Sequence, residues 1–447
     1  MAGQGQRPCG VWGKAPTKGK IMSEAYYITA GELFERGSIP EELQKNAHLI
    51  YNSPAALDFN SPGAEGFGVK RAGLSVPGSV MLLVSPACCG RNTSALGQGF
   101  GERFAYLLLD ENDIVTGKHL TKIPEAANEF VNSREELPTV LMLCITCVDA
   151  LLGTDMERVA KKVEEKIGIP CRPCYMYALT RESHRPPMAY VRETVYSLLK
   201  PAKKKYDVVN LLGYFSPLDD KAELYEILRK AGVKRVQELS RTKTMEEYQK
   251  LSDANFNLVL NPEARAAAKF FLNKLNIPSI ELTRLYQIDK IRSQYAALAQ
   301  AIDAPIDDAV YYEETLDRVK QFISNHGDKQ LAIGSRINGN AFEIALAMVR
   351  YGLKVKEIFA DPELRDFAYL KHLARLSPET KIMSNLSPTM VHYKEDTSVT
   401  LALGKDAAYY HPRVPSVYYN EEIQPFGYHG IKGLFSAMEN ALAKVKK

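Results

Sequence analysis

Residues 140–174 read VLMLCITCVDALLGTDMERVAKKVEEKIGIPCRPC, and the order of signals within them decides the fold. The opening VLMLCI carries no charge and reads as a strand buried on both faces. Thr146–Cys147 end it. Residues 155–167 then place Met156, Val159, Val163 and Ile167 at helical spacing, with lysines and glutamates between them. Gly168–Ile169–Pro170 stops that helix and leads directly to Cys171 and Cys174. Strand, helix and new segment in succession point to a parallel sheet.

The same rhythm extends in both directions. Upstream, 80–84 (VMLLV) is a buried strand, a loop carries Cys88–Cys89–Gly90, and 124–133 is helical. Downstream, strands are expected at 207–213, 233–239 and 256–260, with helices at 220–230, 288–302 and 307–325. A further unit opens with the strand 330–334 (QLAIG), followed by a helix over 341–351, strands at 355–359, 381–383 and 398–403, and a last helix over 431–446. The reading is three doubly wound, Rossmann-like α/β domains with parallel sheets. Residues 76–205 form a cluster-binding domain, 206–328 a second and 329–447 a third that ends in a helix. Residues 1–75, rich in glycine, proline and polar residues, form an arm or cap with one helix over 30–45, interrupted at Gly37–Pro40.

The chain has 447 residues and a formal net charge of +4. Lysine and glutamate are mixed, so no long basic tract calls for nucleic acid; KPAKKK at 200–205 reads as a solvated turn. No apolar segment reaches eighteen residues and the N-terminus lacks a secretory h-region, so the expectation is a cytoplasmic protein with reduced thiols and no membrane contact. No G-x-x-x-x-G-K-[ST] occurs, and GQGFGE at 97–102 lacks the lysine of a phosphate loop. Any ATP therefore belongs to a partner.

Six of the seven cysteines lie in three tight groups: Cys88–Cys89, Cys144/Cys147 and Cys171/Cys174. Cys9 stands alone. Thiolates are soft ligands for zinc, Cu(I) or iron–sulfur clusters. Two CxxC pairs separated by twenty-three residues permit one tetrahedral zinc. Cys171 and Cys174 also suit a redox dithiol, and Cys144, inside an apolar strand, suits core packing. Cys89 and Cys147 follow strand ends, where open α/β sheets place their ligands. The candidate ligand set is Cys88, Cys89, Cys144, Cys147, Cys171 and Cys174. Arg103, Lys118–His119, Arg181, His184, Arg185, Arg336, Asn338, His411 and Arg413 are further polar candidates. Tyrosines 409, 410, 418, 419 and 428 fit either an organic pocket or packing.

Several stretches, in order, resemble the catalytic component of nitrogenase and nitrogenase-like reductases. SPACCG at 85–90 is similar to that family's H-G-P-x-G-C-G loop and places Cys89 on a cluster cysteine. LDENDIVTG at 109–117 is similar to D-x-x-E-x-D-I-V-F-G. TCVDALLGTD at 146–155 is similar to T-C-P-x-x-L-I-G-D-D and places Cys147 on another cluster cysteine. GYHGIKGL at 427–434 resembles the segment around the cofactor-binding histidine, with His429 in that place. The resemblance implies the three-domain architecture and an iron–sulfur cluster, [4Fe-4S] or larger, near a subunit interface. It also implies an ATP-dependent iron protein as electron donor and a twofold pair of subunits, either a homodimer or a homologous second subunit. Two departures stand out. Residues 60–64 (NSPGA) hold no cysteine where the family supplies its earliest cluster ligand. Asn261 stands where a cysteine anchors nitrogenase's large cofactor. The expectation is a reductase of an unidentified small or organic substrate rather than dinitrogen, with a cofactor-assembly scaffold or a zinc-stabilised binding protein as alternatives.

Overall fold

The computed structural model describes residues 24–44, 69–86, 101–146, 152–175 and 187–444. Strand β1 (Ile28–Thr29) comes first. One sheet follows from β2 (Ser79–Pro86), β3 (Phe104–Leu109), β4 (Val140–Ile145) and β5 (Cys171–Tyr175). A second is built from β6 (Lys205–Leu212), β7 (Arg235–Glu238), β8 (Ala254–Val259) and β9 (Ser279–Glu281). The third comprises β10 (Gln330–Gly334), β11 (Lys354–Phe359), β12 (Lys381–Met383), β13 (Leu401–Leu403) and β14 (Ser416–Val417).

The first two sheets share one topology, β3-β2-β4-β5 and β7-β6-β8-β9, and the third runs β1-β12-β11-β10-β13-β14. Every pairing is parallel except β1 with β12. Part of the N-terminal segment thus supplies an antiparallel edge to the third sheet. Its helix runs Ala30–Arg36 and ends at the expected interruption, where Gly37 turns left-handed at φ 65°. The expected helix over 124–133 starts earlier, at His119. Burial of Ile123, Ala127 and Val131 along one face carries it through Pro124. Met156–Ile167 and Ile288–Ile302 form helices as their periodicity predicts.

Helices cover both faces of the first sheet. Met81, Leu83, Met142 and Cys144 pack beneath Val191 and Val195 on one face. Val80, Leu82, Leu141 and Leu143 meet Ile123, Val159 and Val163 on the other. This two-sided burial explains the uninterrupted apolar runs in β2 and β4. A larger core joins the second and third sheets through Leu258, Tyr286, Phe342 and Phe435. No described helix is long and apolar enough to cross a membrane.

Candidate functional site

In a sheet ordered β3-β2-β4-β5, the parallel strands are laid down to one side from β2 to β3 and to the other from β4 to β5, so the strand order reverses between β2 and β4. The crevice outside their carboxyl ends is the switch point where open α/β sheets bind ligands. The segment leaving Pro86 carries Cys88 and Cys89, and the one leaving Thr146 begins with Cys147. Those three cysteines lie outside the described residues, but the strand ends that launch them are neighbours, since Val84 pairs with Ile145. One residue beyond that pair stand Ser85 and Thr146. They are 0% and 2% exposed, and among the described residues neither hydroxyl has a hydrogen-bond partner. Buried hydroxyls are normally satisfied. Two orphans side by side at a switch point fit a group that accepts O–H hydrogen bonds, as the sulfurs of an iron–sulfur cluster do.

The other cysteines behave differently. Cys144 pairs in register with Cys174 across β4 and β5, and both belong to one core. Cys171 lies three residues before Cys174 on the same strand. Side chains alternate along a strand, so Cys171 enters the opposite core beside Leu141 and Val163. The Cys171–Cys174 pair therefore cannot act as a local dithiol. Cys144 and Cys174 on one face and Cys171 on the other also do not converge on one zinc ion. All three are buried. Burial pushes the Cys171 thiol up to about 12 and holds that of Cys174 well above its usual range. In this fold their side chains pack as parts of two apolar cores. Among the described residues no cluster of His, Cys, Asp and Glu could hold a metal ion.

The second sheet has its own switch point, between β6 and β8. A cavity of about 890 Å³ opens there and extends to the loop after β10. Gly213, at φ 138°, leaves β6 so close to β8 that a Cβ would meet the Asn261 amide nitrogen at 2.7 Å. Asn261 lines the cavity, but its side-chain oxygen accepts the Glu263 N–H at 3.0 Å and caps the turn that follows. Asn338, singled out by sequence, also lines it and accepts the Glu421 N–H. His429 does not line it. Its Nε2 lies 3.1 Å from Asp219, and its backbone N–H donates to Glu223. His429, a cofactor-binding candidate by sequence, thus stands outside this lining: helix Gly427–Lys444 is anchored by Glu223, and the imidazole is turned to Asp219.

The remaining polar candidates mostly hold structure. Arg103 donates to the Leu74 and Ser79 carbonyls. His119 is buried with Nδ1 against the Asp113 carbonyl. His411 is fully buried between Glu357 and Tyr393. Arg181, His184 and Arg185 lie outside the described residues. Sequence reasoning missed four residues that line or underlie these sites: Ser85, Thr146, Arg192 and Arg284. A hydroxyl beside a strand end and an arginine in a helix or loop carry no periodic signal of their own.

Comparison with known proteins follows the same lines. The family described as nitrogenase component 1 type oxidoreductase matches residues 65–443. The nitrogenase iron-molybdenum cofactor biosynthesis protein NifE of Clostridium pasteurianum is 24% identical over 305 residues, 65% of this chain and 60% of that protein. The nitrogenase molybdenum-iron protein alpha chain of the same organism is 27% identical over 214 residues, 47% of this chain and 39% of that one. The chain thus spans less than two thirds of the length of each. A solved structure of nitrogenase Cp1 at pH 6.5 superposes with a TM-score of 0.67, covering 91% of this chain and 96% of that one at 17% identity, which establishes the shared fold.

Proposed function

The chain belongs to the nitrogenase component 1 type oxidoreductase family, and on that premise we propose that it is an iron–sulfur reductase subunit. In this reading a partner iron protein hydrolyses ATP and delivers single electrons to a cluster held by Cys89 and Cys147, with Cys88 beside them. The observation that carries it is the pair of orphaned hydroxyls, Ser85 and Thr146, at the ends of the two strands that launch those cysteines. When bound, the cluster supplies one-electron storage and relay. The chain's own residues hold it, keep water from it through the packed core beneath, and donate O–H hydrogen bonds toward its sulfurs. Asn261 in place of a thiolate argues against dinitrogen as substrate and for a small or organic molecule.

Likeness to NifE favours a second reading, a cluster-assembly scaffold of the same architecture. Both readings require iron and acid-labile sulfide after purification without oxygen. Cys89→Ser and Cys147→Ser should lose most of that iron, while Cys171→Ala and Cys174→Ala should keep it. Iron retained in both serine variants, or absent from the wild type, would sink the cluster assignment. ATP- and iron-protein-dependent reduction of the cluster, followed by its reoxidation by an added substrate, separates reductase from scaffold.

A further inference from the structure

The large metal cofactor that the family resemblance places at Asn261 does not fit the cavity found there. The Asn261 side chain is engaged in capping. No cysteine or histidine stands among the described residues that line the space, and His429 is held by Asp219. A protein-anchored metal cluster takes thiolate or imidazole ligands, and the wall offers neither.

What the wall offers is guanidinium. Four of its arginines, Arg71, Arg192, Arg265 and Arg365, are ion-paired with Glu422, Glu263, Glu281 and Glu363. Arg284 differs: among the described residues it has no carboxylate partner. Its guanidinium stacks 4.5 Å from the centre of the Tyr214 ring, gives one Nη to Gln424 at 2.7 Å, and leaves a buried Nε without an acceptor. Arg192, 7% exposed, lies 4.7 Å from the Phe215 ring centre. After its bond to Glu263, its Nε and Nη1 also lack acceptors. Buried donors left unmade are costly, and a carboxylate matches the guanidinium fork. Leu260, Ile337 and Tyr369 add apolar wall. Because most of the lining charge is already neutralised in pairs, the space suits one or two carboxylates on a carbon body rather than a dense polyanion.

We propose that this cavity binds an organic carboxylate, its carboxylate on Arg284 with Arg192 nearby and its apolar body against Leu260, Ile337 and Tyr369. The assignment of that molecule as the substrate rests on the reductase reading; the binding itself does not. The test is a fluorescence titration of the full-length, anaerobically purified protein with 1-pyrenebutyrate, using 1-pyrenebutanol as the uncharged control. The acid should bind saturably, one per chain, about tenfold or more tighter than the alcohol, and Arg284→Met should erase that difference. Equal binding of acid and alcohol, or an unchanged preference in Arg284→Met, would overturn the proposal. Arg192→Met, expected to weaken the acid selectively, serves if Arg284→Met does not fold. The titration is repeated on the Cys89→Ser/Cys147→Ser protein. There the carboxylate preference should persist without the cluster, so loss of iron and loss of binding are read apart. Metal that stays with the double serine variant and leaves with Arg284→Met would place a metal cofactor in the cavity and overturn the assignment.

Discussion

At the scale of single residues, the chemistry turns on polar groups that the fold leaves without partners. Ser85 and Thr146 carry buried hydroxyls with no acceptor among the described residues. Hydrogen bonds to cluster sulfur favour the reduced, more negative state and raise its potential. Ser85→Ala and Thr146→Val should each lower the cluster midpoint by on the order of 60 mV, one tenfold step for a single electron; a redox titration followed by EPR measures it. Glu343 is a different case. It is fully buried, accepts the Tyr286 N–H and the Gln287 side-chain amide, and burial lifts its carboxyl from 4.5 to about 7. A carboxyl raised on folding contributes stability below its unfolded value, and that contribution is lost as pH rises through the folded one. Between pH 5 and pH 8 the wild type should therefore lose up to about 3 kcal/mol relative to Glu343→Gln. Urea midpoints of the two proteins at those pH values check the sign.

At the scale of elements, strand ends do the positioning. Asp406 is fully buried and accepts from Ser335 N–H, Ser335 Oγ, Arg336 N–H and Asn385 Nδ2. It fixes the loop that leaves β10 toward the arginine-lined cavity. Gly334 makes this possible, because a Cβ there would lie 1.8 Å from Asp406 Oδ1. Gly334→Ala should cost about 2 kcal/mol or more by displacing that carboxylate from several buried hydrogen bonds. It should also weaken 1-pyrenebutyrate binding, both readable by thermal unfolding and titration. The alternation of side chains in β5 is equally decisive: it sends Cys171 and Cys174 into two different cores, which no spacing of cysteines in the sequence discloses.

At the scale of the whole molecule, the row of Ser85 and Thr146 continues outward. Ser85 pairs in register with Leu108 on the edge strand β3, and Leu108 is 55% exposed. An apolar side chain at the sheet edge, one strand from the end of β2, suits burial by a second subunit, as the family's multi-subunit assemblies suggest. Sedimentation without oxygen should give about twice the 49.9 kDa chain mass or more, and Leu108→Glu should shift it toward the monomer. An unchanged sedimentation coefficient in that variant would remove Leu108 from the interface.

The sequence by itself determined the α/β class, the parallel sheets and the order of most elements. Runs such as VMLLV and VLMLCI can be buried only between two helical layers, and Met156, Val159 and Val163 repeat at helical spacing. It also marked Cys89 and Cys147 as segments leaving strand ends, and Asn261 as a departure from a thiolate. Tertiary structure alone decided which cysteines are core, because strand parity and sheet register, not chain distance, set the face a side chain enters. It alone turned His429 to Asp219, 210 residues away. It also gathered Arg192 and Arg284 around one cavity, since such convergence depends on where separate sheets end in space, and linear spacing does not encode it.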